Sequence, residues 1–284
     1  MKIDVLGVKI NSETRNGIIF LIKNLLAESR QIFIVTPYSE MIVRAQKDAS
    51  FRDILNSATF ALPDGIGTLW SAHYLKYGKL FFSLLRIVLN PKSIRDPIPE
   101  KISGSDFIWD LARLAAERGY SVFLLGGFDD TPALAAKKLR GKFPNLKIAG
   151  VSNLSPLSNP PPQGEGNNTV SSSPLRGEDK GGGEILDLIN SSSADFLFVA
   201  LGPGTQEQWI SDNLPNLRVK LTIGLGGTFD YLAGKSPPAP QIWAKMGLEW
   251  LWRLITQPWR LGRILRGILG LIWYSVSYRS TIKN

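Results

Sequence analysis

The chain has 284 residues and a mass of 31.4 kDa, enough for one large α/β domain or two domains of ~100–200 residues each. At 44% hydrophobic, 10% aromatic and 20% charged it is neither disordered nor collagen-like, and with no cysteine and one histidine, His73, it excludes a disulfide scaffold, a thiolate or His-rich metal site and a cysteine nucleophile. A formal net charge of +9 and an isoelectric point of about 9.7 point to anionic partners: phosphate, nucleic acid or acidic lipid.

Short β-branched runs alternate with helical ones. Residues 3–8 predict a strand, 12–29 an amphipathic helix, 31–36 (QIFIVT) a buried strand, 39–48 a helix and 58–62 a short strand. Further on, 105–118 predicts a helix, 121–125 a strand, 131–143 a helix, 147–151 a strand, 185–191 a helix, 195–201 (DFLFVAL) a strand, 205–213 a helix and 218–223 a strand. Continuous apolar strands between helices imply a Rossmann-like, mostly parallel α/β sheet with helices on both faces. Ligands of such sheets bind beyond the carboxyl ends of the strands.

Two segments break this rhythm. Residues 153–183 are rich in Pro, Gly, Ser and Asn and are expected to be a disordered low-complexity insertion, too poor in apolar surface to offset their ordering entropy. Residues 74–95 mix Lys76, Lys79, Arg86, Lys92 and Arg95 with Leu80, Phe81, Phe82, Leu84 and Leu85. They fit either a core helix with a solvated face or a membrane-facing element.

The tail is the most basic part. No acid follows Glu249, while Arg253, Arg260, Arg263, Arg266, Arg279 and Lys283 are interleaved with Trp250, Trp252, Trp259 and Trp273. At ~100° per residue the arginines at 260, 263 and 266 fall on one side of a helix and Leu261, Ile264, Leu265, Ile268, Leu269, Leu271 and Ile272 on the other. The expected organisation is an α/β domain over 1–247 and a C-terminal basic amphipathic helical appendage over 248–284 that lies on an anionic membrane surface. The alternative for the appendage is a helix docked on the core with its arginines outward. The start, Met1-Lys2-Ile3-Asp4, lacks the apolar segment of a signal peptide, and no run reaches ~18 uninterrupted apolar residues, so neither export nor a transmembrane helix is expected. The Trp, Ile and Leu content of the tail argues for lipid over nucleic acid.

Loops after the predicted strands carry the candidate chemistry: Thr36-Pro37-Tyr38, Pro63-Asp64-Gly65, Gly126-Gly127, Gly202-Pro203-Gly204-Thr205-Gln206 and Gly224-Leu225-Gly226-Gly227-Thr228-Phe229-Asp230. Glycines there let backbone N–H groups approach phosphate, and a following helix N-terminus adds positive potential. The dinucleotide fingerprint fails, because its third glycine is replaced by Trp70, Glu207 or Phe229, and no P-loop or Asp-x-Asp sequence occurs. Asp64, after an apolar run, is the candidate acid or base; the alternative is a cap of the following helix. Gln206 could bind a sugar or merely open a helix, Asp230 could bind a hydroxyl or cap a turn, and His73 reads as structural.

In order and spacing, TPYSEMIVRA (36–45), LPDGIG (62–67), SGSD (103–106), VFLLGG (122–127), LGPGTQEQWI (201–210), IGLGGTFDYLAGK (223–235), PAP (238–240) and LEWLWRL with QPWR (248–260) resemble the WecG/TagA/CpsF family, glycosyltransferase family 26. The resemblance implies an inverting transfer of a sugar, often N-acetylmannosamine or its uronic acid, from a UDP donor to an undecaprenyl-diphosphate-linked sugar. It implies no tightly bound metal and no cofactor, a peripheral position on the cytoplasmic face of the bacterial membrane, and a place in teichoic acid, common-antigen or exopolysaccharide synthesis. It carries Asp64 over as the base, with Thr36 and Gln206 contacting donor or acceptor. Tyr38, Gly65, Lys101, Gly126, Gly127, Gly202, Thr205, Gly226, Gly227 and Asp230 become substrate-binding positions, and Arg253, Arg260, Arg263 and Arg266 face membrane or lipid diphosphate. Tyr38 stands where the family often has Asn, Lys101 where it has Arg, Gly204-Thr205 for Pro-Lys and Pro238 for Arg. A homo-oligomer is compatible with this reading. The competing reading is a non-catalytic, membrane-peripheral nucleotide-binding protein of the same fold.

Overall fold

The computed structural model describes residues 1–153, 180–237, 240, 243, 249–256, 258 and 261–283. Residues 154–179 of the expected insertion, Pro238 and Arg260 lie outside the described residues. In chain order the elements are β1 (Lys2–Val5), β2 (Val8–Asn11), α1 (Arg15–Ala27), β3 (Ile32–Val35), α2 (Ser39–Lys47), α3 (Ala49–Ser57), β4 (Phe60–Ala61), α4 (Ile66–Tyr77), α5 (Leu80–Leu89), α6 (Gly104–Arg118) and β5 (Ser121–Gly126). They continue with α7 (Thr131–Lys142), β6 (Lys147–Ser152), α8 (Lys180–Ser191), β7 (Phe196–Ala200), α9 (Thr205–Asn213), β8 (Leu221–Gly224), α10 (Thr228–Leu232), α11 (Glu249–Thr256) and α12 (Leu261–Lys283). Six strands form one sheet in the order β4-β3-β8-β7-β5-β6, flanked by helices. The β3/β4, β5/β6, β5/β7 and β7/β8 pairings are all parallel.

The chain divides into two compact units, Met1–Glu28 with Ile34–Gly104 and Pro238–Asn284, and Ser29–Phe33 with Ser105–Pro237. In the first, the stretch expected as one strand over 3–8 is a hairpin: β1 and β2 pair antiparallel, Val5 opposite Val8, around Leu6 (φ 56°) and Gly7 (φ 80°). Positive φ at both turn residues matches the twist of a tight hairpin. Helix α12 packs on α2 and α4. Its contact side combines small groups with one leucine. Ser275 Oγ lies 2.8 Å from Ser71 Oγ, Leu271 is buried, and a Cβ on Gly270 would come within 3.0 Å of Val43 Cγ1. No helix among the described residues is long and apolar enough to cross a membrane.

The second unit is built on β5, which pairs with β6 on one side and β7 on the other. Phe196, Leu197, Phe198 and Val199 are all fully buried, as a parallel strand covered on both faces requires. At the carboxyl end Gly126 (φ +99°) stands opposite Ala200, where a Cβ would lie 2.5 Å from the Ala200 carbonyl oxygen. Gly127 N donates to that same oxygen at 3.0 Å. Only glycine tolerates both the backbone angle and the approach. Gly126→Ala is therefore expected to destabilise the protein by about 2–3 kcal/mol. Gly141→Ala, in α7 with nothing within 4 Å of the new Cβ, should stabilise it by about 0.5–1 kcal/mol. Paired urea denaturation curves measure both, and equal effects would contradict the steric account.

Candidate active site

In the first unit the loops after β3 and β4 are locked together by one carbonyl. Pro37 O accepts from Asp64 N at 3.1 Å and from Thr68 Oγ1 at 3.3 Å, and Thr68 Oγ1 also reaches Asp64 O at 3.1 Å. Thr36 and Pro37 are buried, whereas Tyr38, Asp64 and Gly65 are half-buried. Gly65 (φ 83°) is the N-cap residue of α4. Tyr38 Cβ lies 3.9 Å from where a Gly65 Cβ would be. Ile102 N donates to Pro63 O at 2.9 Å, which brings the half-buried Lys101 to the same strand end. Thr36, Tyr38, Asp64, Gly65 and Lys101 thus form one group.

That group is also tied to the tail. Tyr38 OH donates to Glu40 Oε2 at 3.4 Å, and Glu40 Oε2 pairs with Arg263 Nε at 3.0 Å. Arg263 therefore holds the first turn of α2, while Arg266 is exposed. Arg253 lies on α11. His73 is buried with Nδ1 2.9 Å from Asp96 O and Nε2 3.3 Å from Arg86, the structural placement expected of it.

In the second unit one side chain joins two glycine loops. The amide of Gln206, buried at the start of α9, accepts from Gly226 N at 2.8 Å and donates to Glu207 Oε1 at 2.7 Å. Glu207 Oε2 in turn accepts from Gly204 N at 2.6 Å, which is half of a capping box. A Cβ on Gly224 would come within 2.7 Å of Gln206 Nε2, so a side chain there would have to displace the amide that links the loops. Gly202, Gly204 and Gly226 have φ of +89°, +87° and +51°. Thr205 opens α9, and Thr228 Oγ1 closes the turn before α10 on Leu225 O at 2.6 Å. Asp230 Oδ2 lies 3.7 Å from the Cβ position of Gly227.

Beside Gly127, Lys235 Nζ and Asp130 Oδ1 meet at 2.6 Å. The hydrogen bond from Lys235 holds the Asp130 carboxyl below the usual carboxylate range, and Asp130 with lesser help from Asp129 and Asp230 raises the Lys235 ammonium. Glu207 carries no assignment from sequence; its signal was an acid three residues after a glycine at a helix start. The Gln206–Gly226 link had no local signal, because its partners come from different loops.

Loops with positive-φ glycines at strand ends, followed by helices, belong to an α/β protein with a parallel six-stranded sheet flanked by helices, a class in which ligands bind at the carboxyl ends of the strands. The chain belongs to the glycosyl transferase WecG/TagA/CpsF family, whose profile matches residues 3–80 and 85–284. It is 28% identical over 256 residues to the N-acetylglucosaminyldiphosphoundecaprenol N-acetyl-beta-D-mannosaminyltransferase of Bacillus spizizenii, covering 90% of this chain and 83% of the relative. The enzyme of the same name from Bacillus subtilis is 28% identical over 90% of this chain and 84% of its own. That of Staphylococcus aureus is 24% identical over 93% and 88%.

Gln206→Ala should leave Gly226 N–H and Glu207 Oε1 without their partner and cost about 1–3 kcal/mol of stability. Chemical denaturation tests this; an unchanged midpoint would show that the amide does not hold the loops.

Proposed function

We propose that this glycosyltransferase moves an N-acetylmannosamine-type sugar from a UDP-linked donor to N-acetylglucosamine carried on undecaprenyl diphosphate, with inversion at the anomeric carbon. The observation that carries the reading is Asp64, half-buried at the carboxyl end of β4 in a loop fixed by Pro37 and Thr68, in a chain whose relatives are named as N-acetylmannosaminyltransferases acting on N-acetylglucosaminyldiphosphoundecaprenol. Asp64 takes the proton from the acceptor hydroxyl as its oxygen attacks the anomeric carbon; UDP leaves with the electron pair of the broken glycosidic bond. A single displacement of this kind inverts the centre. Thr36, Tyr38 and Lys101 position substrate beside the base. Gln206 acts as a positioning residue, holding Gly226 for the donor. Backbone N–H groups of the 126–127, 202–205 and 226–227 loops, with Lys and Arg, meet the diphosphate charge in a reaction that needs no metal.

The acceptor cannot leave the bilayer, so the enzyme must come to it. Leu261, Leu265, Leu269 and Trp273 recur every fourth residue along α12 and are exposed, and they support a peripheral placement on the cytoplasmic leaflet, with Arg266 meeting anionic headgroups.

Asp64→Asn should keep the fold and UDP binding while lowering turnover by roughly 10²–10⁴-fold, the loss for a missing general base. The assay is UDP release from UDP-N-acetylmannosamine with a polyprenyl-diphosphate-N-acetylglucosamine acceptor; near-normal turnover would reject the assignment. Activity should also survive EDTA, and complete loss restored by Mg²⁺ or Mn²⁺ would overturn the metal-free mechanism.

A further inference from the structure

Helix α5 carries a hydrophobic row that the fold leaves outside. Phe81 and Leu89 are each 72% exposed and Phe82 61%, with Leu85 also exposed. At ~100° per residue these four side chains fall within about 100° of one another. The opposite side of the helix is fixed inward. Ser83 is buried and accepts from Trp70 Nε1 at 3.0 Å, and Ser83 Oγ donates to Leu80 O at 2.9 Å. The outward row is therefore a fixed feature of a helix that is already docked, not a core face awaiting closure.

Charge says what covers it. No acid occurs between Asp64 and Asp96. Lys76, Lys79, Arg86, Lys92 and Arg95 are exposed around the row, and the acid that ends the stretch, Asp96, is paired with Lys76 at 2.9 Å. A protein partner of mixed charge has no use for a ring of cations without acids. An anionic bilayer does, because acyl chains take the apolar row and headgroups the ring. Phe81 and Phe82 fall in the short gap between the two segments that the family profile matches, and Leu85 and Leu89 lie inside the second.

We infer that α5 is a membrane-inserting element, a wedge of Phe81, Phe82, Leu85 and Leu89 that enters the acyl region of an anionic leaflet while Lys79, Arg86, Lys92 and Arg95 bind its headgroups. This rests on the reading of the acceptor as membrane-borne, and it makes a docking surface separate in sequence from the tail.

The absence of cysteine gives a direct test on the full chain. Phe82→Cys is labelled with an environment-sensitive NBD dye and mixed with phosphatidylcholine vesicles with and without phosphatidylglycerol. The expected result on anionic vesicles is brighter, blue-shifted emission that acyl-chain spin labels quench. A dye at Glu117→Cys, exposed on α6, should not respond. Phe81→Ser/Leu89→Ser should weaken vesicle binding about tenfold with an unchanged melting temperature, since both side chains are 72% exposed. Three results would overturn the inference: no dye response on vesicles that pellet the protein, which leaves the tail as sole anchor; an equal response on neutral vesicles; or the same response without vesicles as protein concentration rises, which makes the row a self-association surface. Failure of the transfer reading shows separately, as no sugar transfer to a short-chain acceptor while the dye still inserts.

Discussion

Parallel pairing between strands covered on both faces is the constraint on which the rest depends. Along β3, β7 and β8 every residue is buried, so these strands have no polar side to lend to chemistry. Reactive and binding groups are pushed to the strand ends, where the backbone must leave the sheet plane and turn into a helix. The glycines at positive φ, Gly126, Gly202 and Gly226 among them, stand at those exits. The same geometry that makes the strand interior inert makes its carboxyl end open to a ligand.

The two units solve the same problem of holding such exits with different groups. In the first, a proline carbonyl accepts from a backbone N–H and a hydroxyl, so the loop bearing Asp64 is held without using any charge. In the second, a neutral amide and a fully buried carboxylate do the holding: Gln206 spans to Gly226, and Glu207 returns to Gly204. Burying Glu207 is tolerable because its oxygens accept from an N–H at the amino end of α9, where the helix dipole favours negative charge.

What the sequence makes legible follows from these physical causes. The apolar runs of β5 and β7 and the starts of α2, α7 and α9 stand where periodicity puts them, and Asp64, Gln206 and the glycine loops could be picked out because loops after apolar runs are where polar residues need a reason. The hairpin at Leu6 was hidden because a non-glycine residue at positive φ costs about 1–2 kcal/mol, so leucine reads as strand. Helix α3 was hidden because Asp48 both ends α2 and caps α3, accepting from Phe51 N at 3.0 Å, with no glycine or proline to mark a boundary. Helix α4 shows no amphipathic period, since Leu69, Trp70, Ala72 and Tyr74 are all buried. The Glu40–Arg263 and Gln206–Gly226 pairs join distant parts of the chain, and no local pattern announces them.

Helix α12 inverts the usual distribution of size. Gly267, Gly270 and Ser275 face α2 and α4, so close that a Cβ on Gly267 would come within 2.6 Å of Glu40 Cγ, while Trp273 is 70% exposed. Small groups at these positions allow close backbone approach beside the buried Leu271, and on the proposed reading the exposed Leu269 and Trp273 are left for lipid. The same helix sends Arg263 to Glu40, whose other neighbour is Tyr38 beside the Asp64 loop. On the proposed reading, the helix that meets the membrane and the loop that holds the base are joined through the Arg263–Glu40 ion pair, the Tyr38–Glu40 hydrogen bond and the packing of α12 on α2.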